Sequence, residues 1–376
     1  MPIWQALIVF AVAFAVTYIM VPVSKRLANL MGAIDYPGER RVNEEEVPRA
    51  GGIALYCGFL AGYLTAMLGM NFFGWEIENL YQLGNIDYVL LFLGLSIAFM
   101  VGLIDDVQPL SPRSKFAGQI VSALFICLSG VTIGVIRWVI TGEYVDLGWA
   151  NIPLSVLYIV IFMNVINLID GLDGLAAGIV AIIACGLLYL VLDRGNYTLA
   201  MFCIALIGVC LAFLRFNFHP ASVFMGDSGS LFLGAVLGVI SITGVARTQG
   251  LVVSLVPLVI AGIPIVDTAS AIIRRLRTGH RIGEADMEHV HHRLLGAGYS
   301  QQRSVLILYV FSAVMAVMGC FFKVSSGVVR WSIFAALSVL VFIIIWRMRL
   351  FDPVLDHYYR RRDKKEPRRI SKGKSS

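Results

Sequence analysis

Residues Phe162 to Gly178 read FMNVINLIDGLDGLAAG, which sets Asn164, Asn167, Asp170 and Asp173 between two apolar runs, IPLSVLYIVI and IVAIIACGLLYLVL. A charged side chain at membrane depth costs at least about 2.5 kcal/mol, so acids retained there are candidates for function. Similar stretches recur: GLIDDVQPLSPRSK carries Asp105 and Asp106, RFNFHPASVFMGDSGS carries Asp227, and HVHHR supplies His289, His291, His292 and Arg293. The five acids and two asparagines form an oxygen-rich set. Hard oxygen donors suit Mg²⁺, with Mn²⁺ as a substitute, because such an ion is commonly held by one or two carboxylates together with substrate phosphates. With no cysteine cluster and no HExxH, the sequence argues against zinc. Glycines 171, 174, 226 and 229 let a backbone approach a ligand, and the arginines and histidines of 274–303 suit anionic oxygens. Acids for a metal, cations for phosphates and glycines for close approach read as phosphoryl-transfer chemistry.

The elements that position these residues follow from composition. Of 376 residues, 58% are hydrophobic and only 14% charged, which excludes an ordinary soluble domain. Windows of about 20 apolar residues predict eleven membrane-spanning helices: 3–22, 51–70, 86–104, 118–139, 152–169, 174–191, 197–214, 229–246, 250–273, 304–322 and 331–347. The first lacks a basic start and a small-residue cleavage site, so it reads as a retained span. The fold class expected is all-α and polytopic. Residues 1–350 form one membrane-embedded catalytic domain, and 351–376 form a basic, disordered tail. An outward N-terminus puts 25 of the 30 Lys and Arg on inward segments, so the N-terminus is expected outside and the C-terminus in the cytoplasm. All the polar stretches then face inward, with active-site loops on the cytoplasmic side of the membrane.

Each stretch alone also fits a plain structural part. An Asp at a helix end can be a cap, NVINLIDGLDG a capped turn, GDSGS an N-cap and HVHH surface histidines. Their arrival on one membrane face favours a shared site. The net charge of +6 is accounted for by the inward bias and by the tail YYRRRDKKEPRRISKGKSS, which suits anionic lipid rather than nucleic acid. All six cysteines fall inside the spans, where they act as small apolar residues. Asp267, seven residues before Arg274, reads as half of a structural pair or as part of the cavity lining.

DDV after the third span, NVINLIDGLDG, FNFHPASVFMGDSGS and HVHHRLLGAG, in this order on inward segments, resemble the polyprenyl-phosphate N-acetylhexosamine-1-phosphate transferases of glycosyltransferase family 4. The span count and PRAGG before the second span agree, so the likeness covers nearly the whole chain. HVHHR stands where the phospho-MurNAc-pentapeptide branch carries three histidines, and resembles the branch that transfers GlcNAc-1-phosphate to undecaprenyl phosphate. In RRVN, Asn43 stands where a histidine is expected, and no role is carried to it. The resemblance implies Asp227 as a principal Mg²⁺ ligand, joined by Asn167. It implies Asp105 and Asp106 beside the lipid phosphate as catalytic residues with Asp227. It places Asp173, Asn217 and Phe224 near the uridine, with Asp170 in the same substrate-binding set. His289, His291, His292 and Arg293 are expected on the sugar and diphosphate. Partners implied are undecaprenyl phosphate, a UDP-sugar and the bilayer, with a homodimer left open.

The expected reaction has the lipid phosphate attack the β-phosphorus of UDP-GlcNAc and expel UMP, as the first membrane step of a cell-envelope glycopolymer. A phosphate monoester has a second pKa near 6, so it needs little help from a base. Asp105 and Asp106 are therefore expected to place a metal or a basic partner as much as to remove a proton. Direct attack is favoured over a covalent route through Asp227, because a metal-committed carboxylate is a poor nucleophile. Two alternatives remain: the same chemistry with UDP-MurNAc-pentapeptide or UDP-GalNAc, and a cation-coupled transporter, which repeated halves would mark.

Overall fold

The computed structural model describes residues 2–36, 46–75, 86–137, 143–193, 195–246 and 299–324, with isolated positions 332, 335, 336 and 339. Among them, eight helical segments are long and apolar enough to cross a membrane. The protein is an all-α, multi-pass membrane protein. Of the expected spans, 250–273 lies outside the described residues, and 331–347 does so almost wholly.

Helix α1 (Ile3–Met31) runs on past the expected end at 22, for about 43 Å at 1.5 Å per residue. Its buried residues, Gln5, Val9, Ala13, Thr17, Val21, Ser24 and Ala28, form one stripe at three- and four-residue spacing. Ile3, Leu7, Ile19 and Leu30 on the other side are exposed. A polar or small stripe inside and an apolar face outside is the pattern of a helix packed in lipid. Helices α2 (Gly52–Phe72) and α3 (Tyr88–Val107) follow.

Helix α4 (Pro112–Leu128) starts and ends earlier than the expected span 118–139. Ser111 caps it by accepting from Ser114 N, and Pro112 supplies a preset first turn. Past its end Gly130 takes φ +98, and Val135–Arg137 (β3) pairs antiparallel with Tyr144–Asp146 (β4). Helices α5 (Asn151–Ile169), α6 (Leu175–Leu192) and α7 (Tyr197–Asn217) stand close to the expected bounds.

Helix α8 (Gly226–Ser241) is the axis of the bundle, with every residue buried. It packs on α2, α3 and α5. Gly234 lies so close to the backbone of Met163 that a Cβ would not fit, which lets α5 and α8 meet backbone to backbone. The last described helix, α9 (Gln301–Val324), lies on α6.

Candidate active site

The chain brings its polar stretches together through one strap and several helix ends. In the strap, Val47–Pro48 (β2) pairs antiparallel with Ile34–Asp35 (β1), and Arg49 N donates to Ala33 O at 2.8 Å. On its other side Pro48 O accepts from Phe224 N at 2.8 Å, while Gly51 N and Gly52 N donate to Phe224 O and Met225 O, each at 2.9 Å. A Cβ on Gly52 would strike Ser228 and the backbone of Gly229, so only glycine permits this approach. The strap therefore delivers Arg49 to the start of α8.

Asp106, in the last turn of α3, is fully enclosed. Its Oδ1 accepts from Asp227 N at 2.7 Å, and its Oδ2 accepts from Ser228 N at 2.9 Å and Ser228 Oγ at 2.6 Å. Arg49 Nε lies 3.2 Å from Oδ1. The first backbone N–H groups of a helix have no partner within it, and its N-terminus favours negative charge. Asp106 thus caps α8 from a different helix. α3 comes this near because Gly102 rests on the Asp227 backbone with no room for a Cβ.

Asp227 stands in the first turn of α8. Its Oδ1 accepts from Arg49 Nη2 at 2.8 Å and from Asn167 Nδ2 at 3.0 Å, and its Oδ2 contacts Lys115 Nζ. Asn167 Nδ2 also donates to Ser230 Oγ at 2.9 Å, which turns its Oδ1 toward the same ammonium, 3.4 Å away. Asp105 completes the set: Oδ2 lies 3.2 Å from Lys115 Nζ, and Oδ1 accepts from Leu110 N at 2.7 Å.

Asp105, Asp227 and Asn167 therefore point oxygens at one cation, the ammonium of Lys115. Three carboxylates (Asp105, Asp106, Asp227) face two cations (Arg49, Lys115), leaving one net negative charge. Among the described residues no three His, Cys, Asp or Glu side chains gather as a metal cluster. Two acids and an amide do converge, and that donor set fits Mg²⁺, which commonly takes one or two carboxylates and completes its shell with water and phosphate.

A second group lies at the α5–α6 turn. Asp173 Oδ2 accepts from Ala221 N at 3.1 Å and pairs with His219 Nδ1 at 2.8 Å. Asn217 is buried, with both ends of its amide engaged by backbone: Oδ1 accepts from Gly174 N at 3.1 Å and Nδ2 donates to Val223 O at 2.9 Å. It ties the 170–174 turn to the 218–225 loop, on which Phe224 sits half-buried. Asp170 ends α5. Burial pushes its carboxyl up to about 7; Arg49 opposes this while Asp106 and Asp173 add to it.

Asn164 stands apart from the acids' hydrogen bonds. It exchanges hydrogen bonds with Gln119 (2.6 and 3.4 Å) and donates to Val160 O at 2.8 Å, bracing α4 against α5. His289, His291, His292 and Arg293 lie outside the described residues, as do Asp267 and Arg274. The sequence reading assigned no role to Arg49, Lys115 or His219. Arg49 and Lys115 lie inside PRAGG and GLIDDVQPLSPRSK, and the signal that could have found them is that carboxylates enclosed in such a chain need cationic partners.

The model of glycosyl transferase family 4 matches residues 88–245, a window that holds every residue of both groups except Arg49. Among curated proteins, the chain is 34% identical to the "probable undecaprenyl-phosphate N-acetylglucosaminyl 1-phosphate transferase" of Bacillus subtilis, over 90% of each chain. It is 36% identical to the "decaprenyl-phosphate N-acetylglucosaminephosphotransferase" of Mycolicibacterium smegmatis, over 84% of this chain and 81% of that one. A "phospho-N-acetylmuramoyl-pentapeptide-transferase" of Moorella thermoacetica is 38% identical over 59% of this chain and 72% of its own. With similarity running along nine-tenths of its length and through the helices that gather the acids, this chain belongs to glycosyl transferase family 4.

Proposed function

We propose that the chain transfers N-acetylglucosamine 1-phosphate from UDP-GlcNAc to undecaprenyl phosphate and releases UMP. The observation that carries this is the convergence of Asp105, Asp227 and Asn167 on one cation, with Arg49 and Asp106 fixing Asp227 from behind. The names of the Bacillus and Mycolicibacterium relatives favour a polyprenyl phosphate acceptor and an N-acetylglucosaminyl donor.

The acceptor phosphate attacks the β-phosphorus of the donor. A new P–O bond forms, the bond to the bridging oxygen breaks, and UMP leaves with that oxygen. Two anions must meet for this, so cations have to offset their repulsion. Asp227 and Asn167, with Asp105 beside them, would hold a magnesium ion. When bound, the ion supplies charge neutralisation on the diphosphate. Lys115, already within reach of all three ligands, would turn to the acceptor phosphate once displaced from that point. Asp106 acts by holding Arg49 and the first turn of α8. Both Asp227 oxygens are engaged, which supports direct attack over a phosphosugar on Asp227. The second group, Asp170, Asp173, Asn217 and Phe224, is assigned to the nucleotide, and His289, His291, His292 and Arg293 to the sugar and diphosphate.

The site belongs to the cytoplasmic face of a bacterial cell membrane, with the N-terminus outside. We assign catalysis to one domain, residues 1–350, reached sideways by the lipid acceptor; the basic tail 351–376 lies outside the described residues, and its charge suits anionic lipid. The distribution of Lys and Arg supports this orientation.

The test uses purified protein in detergent with undecaprenyl phosphate, Mg²⁺ and a panel of UDP-sugars, following UMP. Release with UDP-GlcNAc alone, stopped by EDTA and restored by Mg²⁺, is expected. The Moorella relative keeps UDP-MurNAc-pentapeptide as the second reading, and turnover of that donor in preference would establish it. Silence with every donor in a folded sample would sink both.

A further inference from the structure

Helix α9 begins at Gln301, eight residues after Arg293, and its Tyr309 reaches the acid turn. The Tyr309 hydroxyl donates to Gly174 O at 2.5 Å. Gly174 has φ +78, a left-handed backbone that residues with a Cβ rarely adopt, and it separates Asp173 from the first residue of α6. Its N–H is taken by Asn217 Oδ1, so the two sides of this glycine are held by two side chains from different helices. The Tyr309 ring fills the space where a Cβ on Gly178 would sit, one turn along α6. From the same helix, Gln302 Nε2 donates to His219 O at 3.4 Å, on the loop that binds Asp173 from its other side.

We propose that Tyr309 is a positioning residue for the nucleotide: it fixes the Gly174 peptide, and through it the direction of Asp173. This rests on the assignment of Asp173 to the nucleotide above. Gly174 O also accepts from Gly178 N at 3.0 Å, so removing the hydroxyl leaves no buried carbonyl without a partner. Loss of the tyrosine hydroxyl therefore loosens the turn more than it weakens the fold.

The experiment compares wild type, Tyr309→Phe and, as a packing control on the same helix, Ser312→Ala, all full-length in detergent. UMP affinity is measured directly, alongside kcat, KM for UDP-GlcNAc, KM for undecaprenyl phosphate and the melting temperature. Tyr309→Phe should weaken UMP binding and raise the donor KM about three- to tenfold, with kcat and the lipid KM unchanged. Ser312→Ala should leave all of these alone. Unchanged UMP affinity in Tyr309→Phe beside a wild type that binds UMP would overturn the proposal by itself. A parallel decline of every readout in both variants would also overturn it, by reducing Tyr309 to packing. A folded wild type that binds no UMP would overturn the nucleotide reading together with it.

Discussion

Lys115 rests its ammonium on Oδ2 of Asp227, although the two residues are 112 positions apart and stand at the starts of different helices. The same nitrogen lies 3.2 Å from Asp105 and 3.4 Å from Asn167, so a fixed positive charge occupies the point where the site's oxygen donors meet. A divalent ion binding there has to compete with it.

Lys115→Gln should therefore bind a divalent cation more tightly, by about tenfold if one neighbouring unit charge acts through a partly screened medium. Turnover should fall by about a hundredfold, since the acceptor phosphate loses its counter-charge. Titration with Mn²⁺ followed by electron paramagnetic resonance reads the first effect, and UMP release the second. Weaker Mn²⁺ binding in the variant would place the cation somewhere other than between Asp105, Asn167 and Asp227.

Arg49 bridges two acids, with Nε 3.2 Å from Asp106 and Nη2 2.8 Å from Asp227. Arg49→Ala should lower unfolding stability by about 3 kcal/mol, because it leaves two buried carboxylates without that partner. Arg49→Lys should recover only part of the loss, since one ammonium lacks the fork that spans both. Thermal melts of both variants in detergent decide this; a full recovery by lysine would show that charge alone matters.

Asp170 offers a pH dependence whose sign can be worked out. Burial disfavours the charged form and pushes its folded carboxyl up to about 7, from the ordinary value of 3.8. Below 3.8 the group is neutral folded and unfolded alike, and nothing is lost. Between 3.8 and about 7 the unfolded chain ionises first, so stability falls as pH rises through that window. Melting temperatures in EDTA should descend from pH 5 to pH 7 for the wild type, with a shallower descent in Asp170→Asn. Identical slopes in the two proteins would mean that Asp170 ionises as an ordinary exposed acid.

Asn217→Ala removes the amide that binds Gly174 N and Val223 O together. Two buried backbone groups lose their partners, at about 1–3 kcal/mol each if neither finds another. The variant should melt several degrees lower and bind UMP more weakly, since the tie between the acid turn and the Phe224 loop is cut. Calorimetry together with UMP titration measures both. A loss of UMP affinity without any loss of stability would point instead to direct contact between Asn217 and the nucleotide.

The sequence by itself determined the class of the molecule. Runs of about 20 apolar residues leave few alternatives to membrane helices, because an unpaired backbone cannot cross lipid. It also singled out Asp105, Asp106, Asp170, Asp173, Asp227, Asn164 and Asn167, since polar groups in such a chain are expensive and few, whereas Asn217 came only from the family resemblance. What it left open were the partners. Nothing in spacing tells whether a carboxylate beside a helix end faces a metal, a helix N-terminus or an arginine. Only the tertiary structure decided that Asp106 caps α8 while its neighbour Asp105 turns to Lys115, because adjacent residues on a helix point about 100° apart. It alone brought Arg49 to Asp227, through backbone hydrogen bonds between a strap and a loop more than 170 residues apart. The end of α4 was misjudged for a related reason. Val131–Arg137 is as apolar as a helix end, but Gly130 at φ +98 and strand pairing with Tyr144–Asp146 turn the chain out of the helix, and apolarity alone does not distinguish those outcomes.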